Sequence, residues 1–316
     1  EQVATKSFGD ARALTPNDFV ATCSFCSARY LETPPEKSRS ISHDAGFERL
    51  YRLPVEGIVG GIAEFRRIPN LFEIIAYEYW HKNYGHQLPM DAREHMRIYL
   101  SSDEGQAHVL GLLERRIAPD VKGDLSRDEL LALSAAFFGS GHDVIVGRRH
   151  YVDGATTDQE LASSGTLTPL EHAEYTDFTI EAMADLYAQN RYVRYVAVFQ
   201  NWLKPAGASF DHLHKQLVSI DERGIQNELE VRAVRLNANV FNEAAVNYAA
   251  YHNLVVAEND HAVAFAGFGH RYPCLEIYSK SHRSEPWLMD FEERRAMSDL
   301  IHAMHAATGP AVPCNE

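Results

Sequence analysis

The chain has 316 residues, 45% hydrophobic and 23% charged, enough to bury a sizeable core in two domains or two repeats. A formal net charge of −14 excludes a sequence-independent nucleic-acid binder, whose affinity comes from neutralising phosphates. No apolar run approaches a membrane span, and four cysteines without a disulfide pattern fit a reducing, cytoplasmic compartment.

The first forty or so residues are rich in turn formers and carry Cys23-Ser24-Phe25-Cys26, followed by Thr33-Pro34-Pro35. Two thiols three positions apart can seat a tetrahedral metal if two further ligands arrive from elsewhere. A redox dithiol is the rival, but no helix signal follows Cys26, and an idle pair is the third reading. Asp44 to Asn70 reads as short strands, with Gly57, Gly60 and Gly61 marking turns. From Glu73 to Phe138 apolar residues recur at helical spacing, for example Met96, Tyr99 and Leu100. His81, His86, His95 and His108 in that stretch read as surface or partly packed residues.

A unit then occurs twice. Asp143-Val144-Ile145-Val146 reads as a buried strand, followed by Arg148, Arg149 and His150, then by the capping box Thr168-Pro169-Leu170-Glu171 opening a long helix. Leu275-Glu276-Ile277-Tyr278, then Lys280 and His282, then the Asp290 and Glu293 capping box repeat that order. Met297, Leu300, Ile301 and Met304 supply the second helix's apolar stripe. The second copy lacks the strands that follow the first. Together with a start at Glu1 rather than Met, this predicts a piece of a longer protein, or another segment standing in.

Between the copies, Phe199-Gln200-Asn201 runs through Gly207 and Ser209 to His212-Leu213-His214-Lys215-Gln216. On an extended segment His212, His214 and Gln216 share one face while Leu213 and Lys215 turn away. Two imidazoles and an amide on one face can attack a phosphorus atom and hold its oxygens, although an isolated His-x-His is more often merely packed or exposed.

Together these motifs resemble the galactose-1-phosphate uridylyltransferase-like branch of the histidine-triad (HIT) superfamily. Cys23 to Glu36 resembles its zinc knuckle, Pro69-Asn70-Leu71-Phe72 its nucleoside-binding strand, and His142 to His150 the segment supplying a metal-binding histidine. Phe199 to Gln216 resembles its active-site segment. The resemblance implies an α+β fold of two HIT-like repeats, each an antiparallel sheet with packed helices. The first repeat, 1–235, would include the knuckle and a helical insertion at about 77–138; the second, 236–316, would be incomplete. It further implies one structural zinc on Cys23, Cys26, His150 and His212, with His214 as nucleophile. Asn70 and Phe72 would bind the nucleoside, while Gln216, Asn201, Gly207 and Ser209 would lie by the phosphates.

The implied function is a nucleotidyltransferase that moves a nucleoside monophosphate between phosphates through a covalent nucleotidyl-histidine. Its partners would be a nucleotide or nucleotide-sugar substrate and a phosphate acceptor, without nucleic acid or membrane; a homodimer is compatible with the resemblance. Gln216 occupies the position where hydrolytic relatives carry a third histidine. An amide is no general acid, so leaving groups that depart without a proton, such as phosphates, are favoured. Leu213 stands where the branch usually has proline, and Leu71 where an acidic residue commonly follows the asparagine, which leaves uridine and adenosine both open. The alternatives are a nucleotide phosphorylase acting on a dinucleoside polyphosphate or nucleotide sugar, and a catalytically silent, zinc-stabilised nucleotide-binding protein.

Overall fold

The computed structural model describes residues 10–70, 75–116 and 126–316. The chain divides into two units. The first comprises the described residues up to Ala162 with Ala182–Ile220 and Ala311–Glu316; the second comprises Ser163–Glu181 and Asp221–Pro310. Among the described residues no helix is long and apolar enough to cross a membrane.

The first unit is built on β1 (Ser38–His43), β2 (Gly46–Tyr51), β3 (Phe65–Pro69), β4 (His142–Gly147), β5 (Tyr195–Phe199), β6 (Asn201–Trp202) and β7 (His214–Ile220). Six of these form one antiparallel sheet in the order β2-β1-β3-β4-β7-β5. β4 is central and every one of its residues is buried, as its unbroken apolar run Val144-Ile145-Val146 predicts. Its register pairs Val144 with Gln216 and Val146 with His214. Residues directly opposite in an antiparallel pair share a face, so this register sets which side chains meet.

On one face Phe25, Ile68, Val144 and Val146 form a small core on which Cys23 and Phe210 also pack. The other face carries an ionic cluster. Asp143, fully buried, pairs with Arg67 at 2.6 Å and Lys37 at 2.7 Å, and Arg67 also reaches Asp185 at 2.7 Å. Burial alone would raise the Asp143 pKa, but Arg67 and Lys37 hold it below the ordinary carboxylate value. A second buried cluster joins Glu36 to Arg39 and Arg66, whose guanidinium lies 3.8 Å from the Tyr30 ring centroid.

The stretch expected to be helical carries α1 (Tyr77–Tyr84), α2 (Met90–Tyr99), α3 (Asp103–Arg116), α4 (Arg127–Leu133) and α5 (Ala135–Phe138). Tyr99, Val109, Leu112, Leu113, Phe137 and Phe138 gather there in a core with Tyr30, Val55 and Ile58. Two local expectations need correction. Val55–Val59, read as strand and turn, is a short helix begun at Pro54, because Val55 and Ile58 bury on the same side at helical spacing. A 3₁₀ helix, Ser27–Glu32, follows Cys26 where no helix is expected.

His95, expected at the surface or only partly packed, is 3% exposed. It approaches the Leu53 carbonyl, while His108 bridges the Tyr99 hydroxyl and the Thr33 carbonyl. Burial lowers both pKa values to about 4. Unfolded histidine titrates near 6.5, so between those values the unfolded chain binds more protons than the folded one. Stability is therefore complete above about pH 6.5 and declines toward pH 4, by up to about 1.4 kcal/mol per pH unit for each histidine. Urea midpoints at pH 7 and pH 5 test this. The double variant His95→Gln/His108→Gln should have the shallower pH dependence, and equal slopes would refute the assignment.

α6 (Pro169–Gln189) opens with its expected capping box: the Thr168 amide donates to Glu171 at 2.7 Å and the Glu171 amide to Thr168 at 3.2 Å. In the second unit follow α7 (Gly224–Leu236), β8 (Val255–Glu258), β9 (Ala262–Ala266), β10 (Leu275–Ser279) and α8 (Phe291–Thr308). The three strands form an antiparallel sheet in the order β10-β9-β8. Met297, Leu300 and Met304 of α8 cover Ala262 and Ala264, as the apolar stripe predicts. Asp290 and Glu293 complete the second capping box. Within this unit His172 bonds Ser298 at 2.7 Å and Arg294 bonds Asp177 at 2.7 Å. The α+β class, with an antiparallel sheet and packed helices, is as the sequence predicts.

Candidate active site and metal-binding set

Cys23 and Cys26 lie on a tight turn closed by the Cys26 amide donating to the Cys23 carbonyl at 3.0 Å. His150 follows β4 and His212 precedes β7, so sheet pairing carries both imidazoles to the thiols from distant parts of the chain. The two sulfurs are 3.8 Å apart, and the two Nδ1 atoms 3.3 Å apart. Cys23 stands 3.4 Å from each Nδ1, and Cys26 3.8 Å from each. A tetrahedral ion bonded at about 2.3 Å to sulfur and about 2.0–2.1 Å to nitrogen sets edges of about 3.8, 3.6 and 3.3 Å. All six separations fit. These four residues could hold a metal ion.

The local electrostatics agree. The Cys26 thiol is pushed well down, chiefly by the hydrogen bond from Cys23, while the bond to Cys26 and burial push Cys23 up. The pair thus readily gives up one proton to become a ligand. His212 Nε2 donates to the Gly147 carbonyl at 2.7 Å, which fixes the tautomer leaving Nδ1 free to ligate.

Two residues beyond His212, His214 is 6% exposed. Its Nδ1–H donates to the His212 carbonyl at 2.7 Å, so the lone pair resides on Nε2. Burial lowers its pKa below the ordinary imidazole value, against the pull of that hydrogen bond, and keeps the ring neutral. Phe25, between the two cysteines, packs its ring 5.4 Å from that of His214 and 5.8 Å from that of His212, centroid to centroid. The turn that carries the two cysteines therefore also supplies an apolar wall against His214.

Gln216 shares the His214 face of β7, as alternation predicts. Leu213 is buried against Gly147, and Lys215 pairs with Glu316 at 2.6 Å. The Gln216 carbonyl oxygen lies 3.1 Å from His142 Nε2, and Asn70 Nδ2 lies 3.1 Å from the same nitrogen. With its oxygen held by His142, Gln216 keeps its amide hydrogens as donors. Asn70 is thereby brought to Gln216 through His142, while Phe72 lies outside the described residues.

Asn201 sits on β6, whose partner is the two-residue strand Cys314–Asn315. Asn315 donates to the Asn201 side-chain oxygen at 2.7 Å and to the Ala206 carbonyl at 2.8 Å. That leaves the Asn201 amide nitrogen beside Gly207, where an added Cβ would lie 3.6 Å from it. Gly207 has φ +94°, a conformation that suits glycine, and closes the turn after Asn201. Leu203 in the same loop also has positive φ, +66°, and its carbonyl accepts from Ala206 and Ala208 amides at 3.0 and 3.2 Å. This holds a strained residue beneath the turn. Ser209 is exposed between Gly207 and His212.

Sequence reasoning misses three contributors: Phe25, His142 and Asn315. Only His142 leaves a local trace, a polar residue that with Asp143 opens the strand ahead of its apolar run Val144-Ile145-Val146.

This arrangement belongs to the class of α+β folds seen in galactose-1-phosphate uridylyltransferase-like proteins. A GalT-like protein from Arabidopsis thaliana is 19% identical, with a TM-score of 0.54 over 94% of this chain and 74% of its own. An ADP-glucose phosphorylase from the same plant, solved with bound ADP-glucose, is 18% identical, with a TM-score of 0.52 over 92% and 69%. At these identities the likeness is one of fold, and it agrees with the resemblance carried by the four motifs. No curated protein matches the chain in sequence. The chain belongs to the family described as Domain of unknown function (DUF4921), which matches residues 2–316.

Proposed function

We propose that the chain is a nucleotidyltransferase in which His214 takes a nucleoside monophosphate from one phosphate and passes it to another. The observation that carries this reading is the His214 tautomer. A buried, neutral imidazole with Nδ1–H fixed on a backbone carbonyl at 2.7 Å presents Nε2 as a nucleophile. Nε2 attacks the α-phosphorus, the bond to the leaving phosphate breaks with its electron pair, and a phosphoramidate to His214 results. A second phosphate oxygen then displaces His214 and restores the free ring. Gln216 and Asn201, each with its carbonyl end held by a neighbour, offer amide hydrogens to the non-bridging oxygens. Gly207 and Ser209 are assigned to the same phosphate end and Asn70 to the nucleoside; the resemblance gives Phe72, outside the described residues, the same nucleoside role.

Cys23, Cys26, His150 and His212 are assigned to one structural zinc. Four protein ligands leave no open position, so the ion would tie the N-terminal turn to β7 without joining the chemistry. His212 is both a ligand and, through its carbonyl, the group that orients His214.

A phosphorylase is the second reading, with inorganic phosphate collecting the nucleotide and releasing a nucleoside diphosphate. The ADP-glucose bound in one fold neighbour favours including it. Both readings predict a protein-bound nucleotide. UDP-glucose and ADP-glucose labelled at the α-phosphate, each quenched after mixing, should leave label that survives base and is lost in acid. Chase with inorganic phosphate or with a hexose 1-phosphate then distinguishes the phosphorylase from the transferase. Tight nucleotide binding without label from either sugar nucleotide would instead favour a silent binding protein.

A further inference from the structure

Away from the residues assigned above, the second unit gathers His270, Cys274 and Glu276 so that one ligand atom from each lies within 4.8 Å of the others. The hairpin explains why. β9 and β10 pair antiparallel with Leu275 opposite Ala266, and the Gly267 amide donates to the Cys274 carbonyl at 2.9 Å. Gly267 thus faces Cys274 across the strands, and alternation puts Glu276 on the same side as Cys274. Since Gly267 has no side chain, that side of the hairpin is open, and His270 folds back from the loop into it. His270 Nε2 meets the Glu276 carboxylate at 2.9 Å.

A Cβ on Gly267 would stand 2.2 Å from Cys274 Sγ, 3.1 Å from Glu276 Oε1 and 3.2 Å from His270 Cδ2. All three side chains therefore converge over one bare Cα. The glycine is needed for that convergence, because its φ is ordinary and no turn requires it.

We propose that His270, Cys274 and Glu276 form a second metal site, on the floor made by Gly267, that binds an exchangeable zinc ion. An imidazole nitrogen, a thiolate and a carboxylate are each zinc ligands, and three protein ligands leave the fourth position to water. Binding replaces the His270–Glu276 hydrogen bond with two coordinate bonds, and the Cys274 thiol proton passes to solvent. The site differs from the four-ligand set in access: the His270 and Glu276 side chains are 50% and 18% exposed, whereas Cys26 and His212 are fully buried. Its ion exchanges with solvent while the enclosed one stays, and filling it pins the loop 267–274 across the hairpin.

The test begins with protein whose enclosed set is filled, as established by elemental analysis. Zinc is then titrated against a chromophoric chelator, with cobalt as a second probe for its thiolate charge-transfer band. A second equivalent is expected, with the cobalt band, and with alkylation of Cys274 slowed by zinc in peptide mass mapping. Cys274→Ser should lose the second equivalent and the band that accompanies it while keeping the first. Gly267→Ala should lose the second equivalent too, but Cys274→Ser carries the test if the alanine variant fails to fold. A titration that ends at one equivalent, or a second equivalent that persists in Cys274→Ser, overturns the assignment.

Discussion

His214→Ala is expected to abolish the covalent nucleotide adduct and to slow transfer by about 10⁴-fold or more, the scale of losing a covalent nucleophile. The fold and metal content should be those of the parent, because the His214 side chain bonds the His212 backbone carbonyl, not the His212 ring assigned to the metal, and among the described residues it joins no ion pair. His214→Gly leaves room for free imidazole, which should restore part of the rate. Two neighbours on the same strand separate a chemical role from a structural one. His212→Ala removes a member of the Cys23–Cys26–His150–His212 set, so it should lose metal and unfold more easily, with activity falling as a consequence. Gln216→Ala should keep metal and still form adduct, but more slowly by about ten- to thousandfold, the range for losing one donor to a charge-bearing oxygen. Turnover of His214→Ala at the parent rate would place the nucleophile elsewhere.

The ordering of these variants follows from what sequence periodicity can and cannot carry. Alternation along an extended segment is enough to predict that His214 and Gln216 share a face and that Leu213 and Lys215 leave it. The candidate metal-ligand set is legible for a different reason: the Cys23 and Cys26 spacing raises the possibility of a metal, and the family resemblance, not composition, picks His150 and His212 out of 16 histidines; the structure brings the four together. Partners fixed by tertiary register leave no such mark. Asn315 reaches Asn201 because Cys314–Asn315 pairs with Asn201–Trp202, and nothing in a string of residues predicts that pairing. Phe25 reads as filler between two cysteines until the turn folds against His214. The Val55–Val59 helix is mistaken for strand and turn because Gly57 within it and Gly60 and Gly61 just after it outweigh two apolar residues at helical spacing. In each case local propensity meets a contact set by distant chain, and the contact prevails.

Asp143 is the clearest example, and the second large effect is expected there. A carboxylate opening the run Val144-Ile145-Val146 looks like a strand terminus, yet it is fully buried beneath two cations that are themselves 5% and 8% exposed in their side chains. Asp143→Asn retains the volume and removes the charge, leaving Arg67 and Lys37 facing each other without their shared anion. Breaking a buried pair in this way costs about 3–5 kcal/mol, because the partner charge stays desolvated. Arg67 keeps Asp185, whose side chain is 34% exposed, so Asp185→Asn should cost far less. The acid dependence gives an independent check. Because the folded pKa of Asp143 is depressed, its contribution is complete above the unfolded value of about 3.9 and is lost as pH falls through the folded value. The stability gap between parent and Asp143→Asn, read from denaturant midpoints, should therefore be constant from pH 7 to about 5 and narrow below about 4. That window lies below the one in which His95 and His108 act, so the two contributions separate along the same titration. A gap under about 1 kcal/mol at pH 7 would mean that the cations find other partners when the carboxylate is gone, and that the cluster sets strand register more than stability.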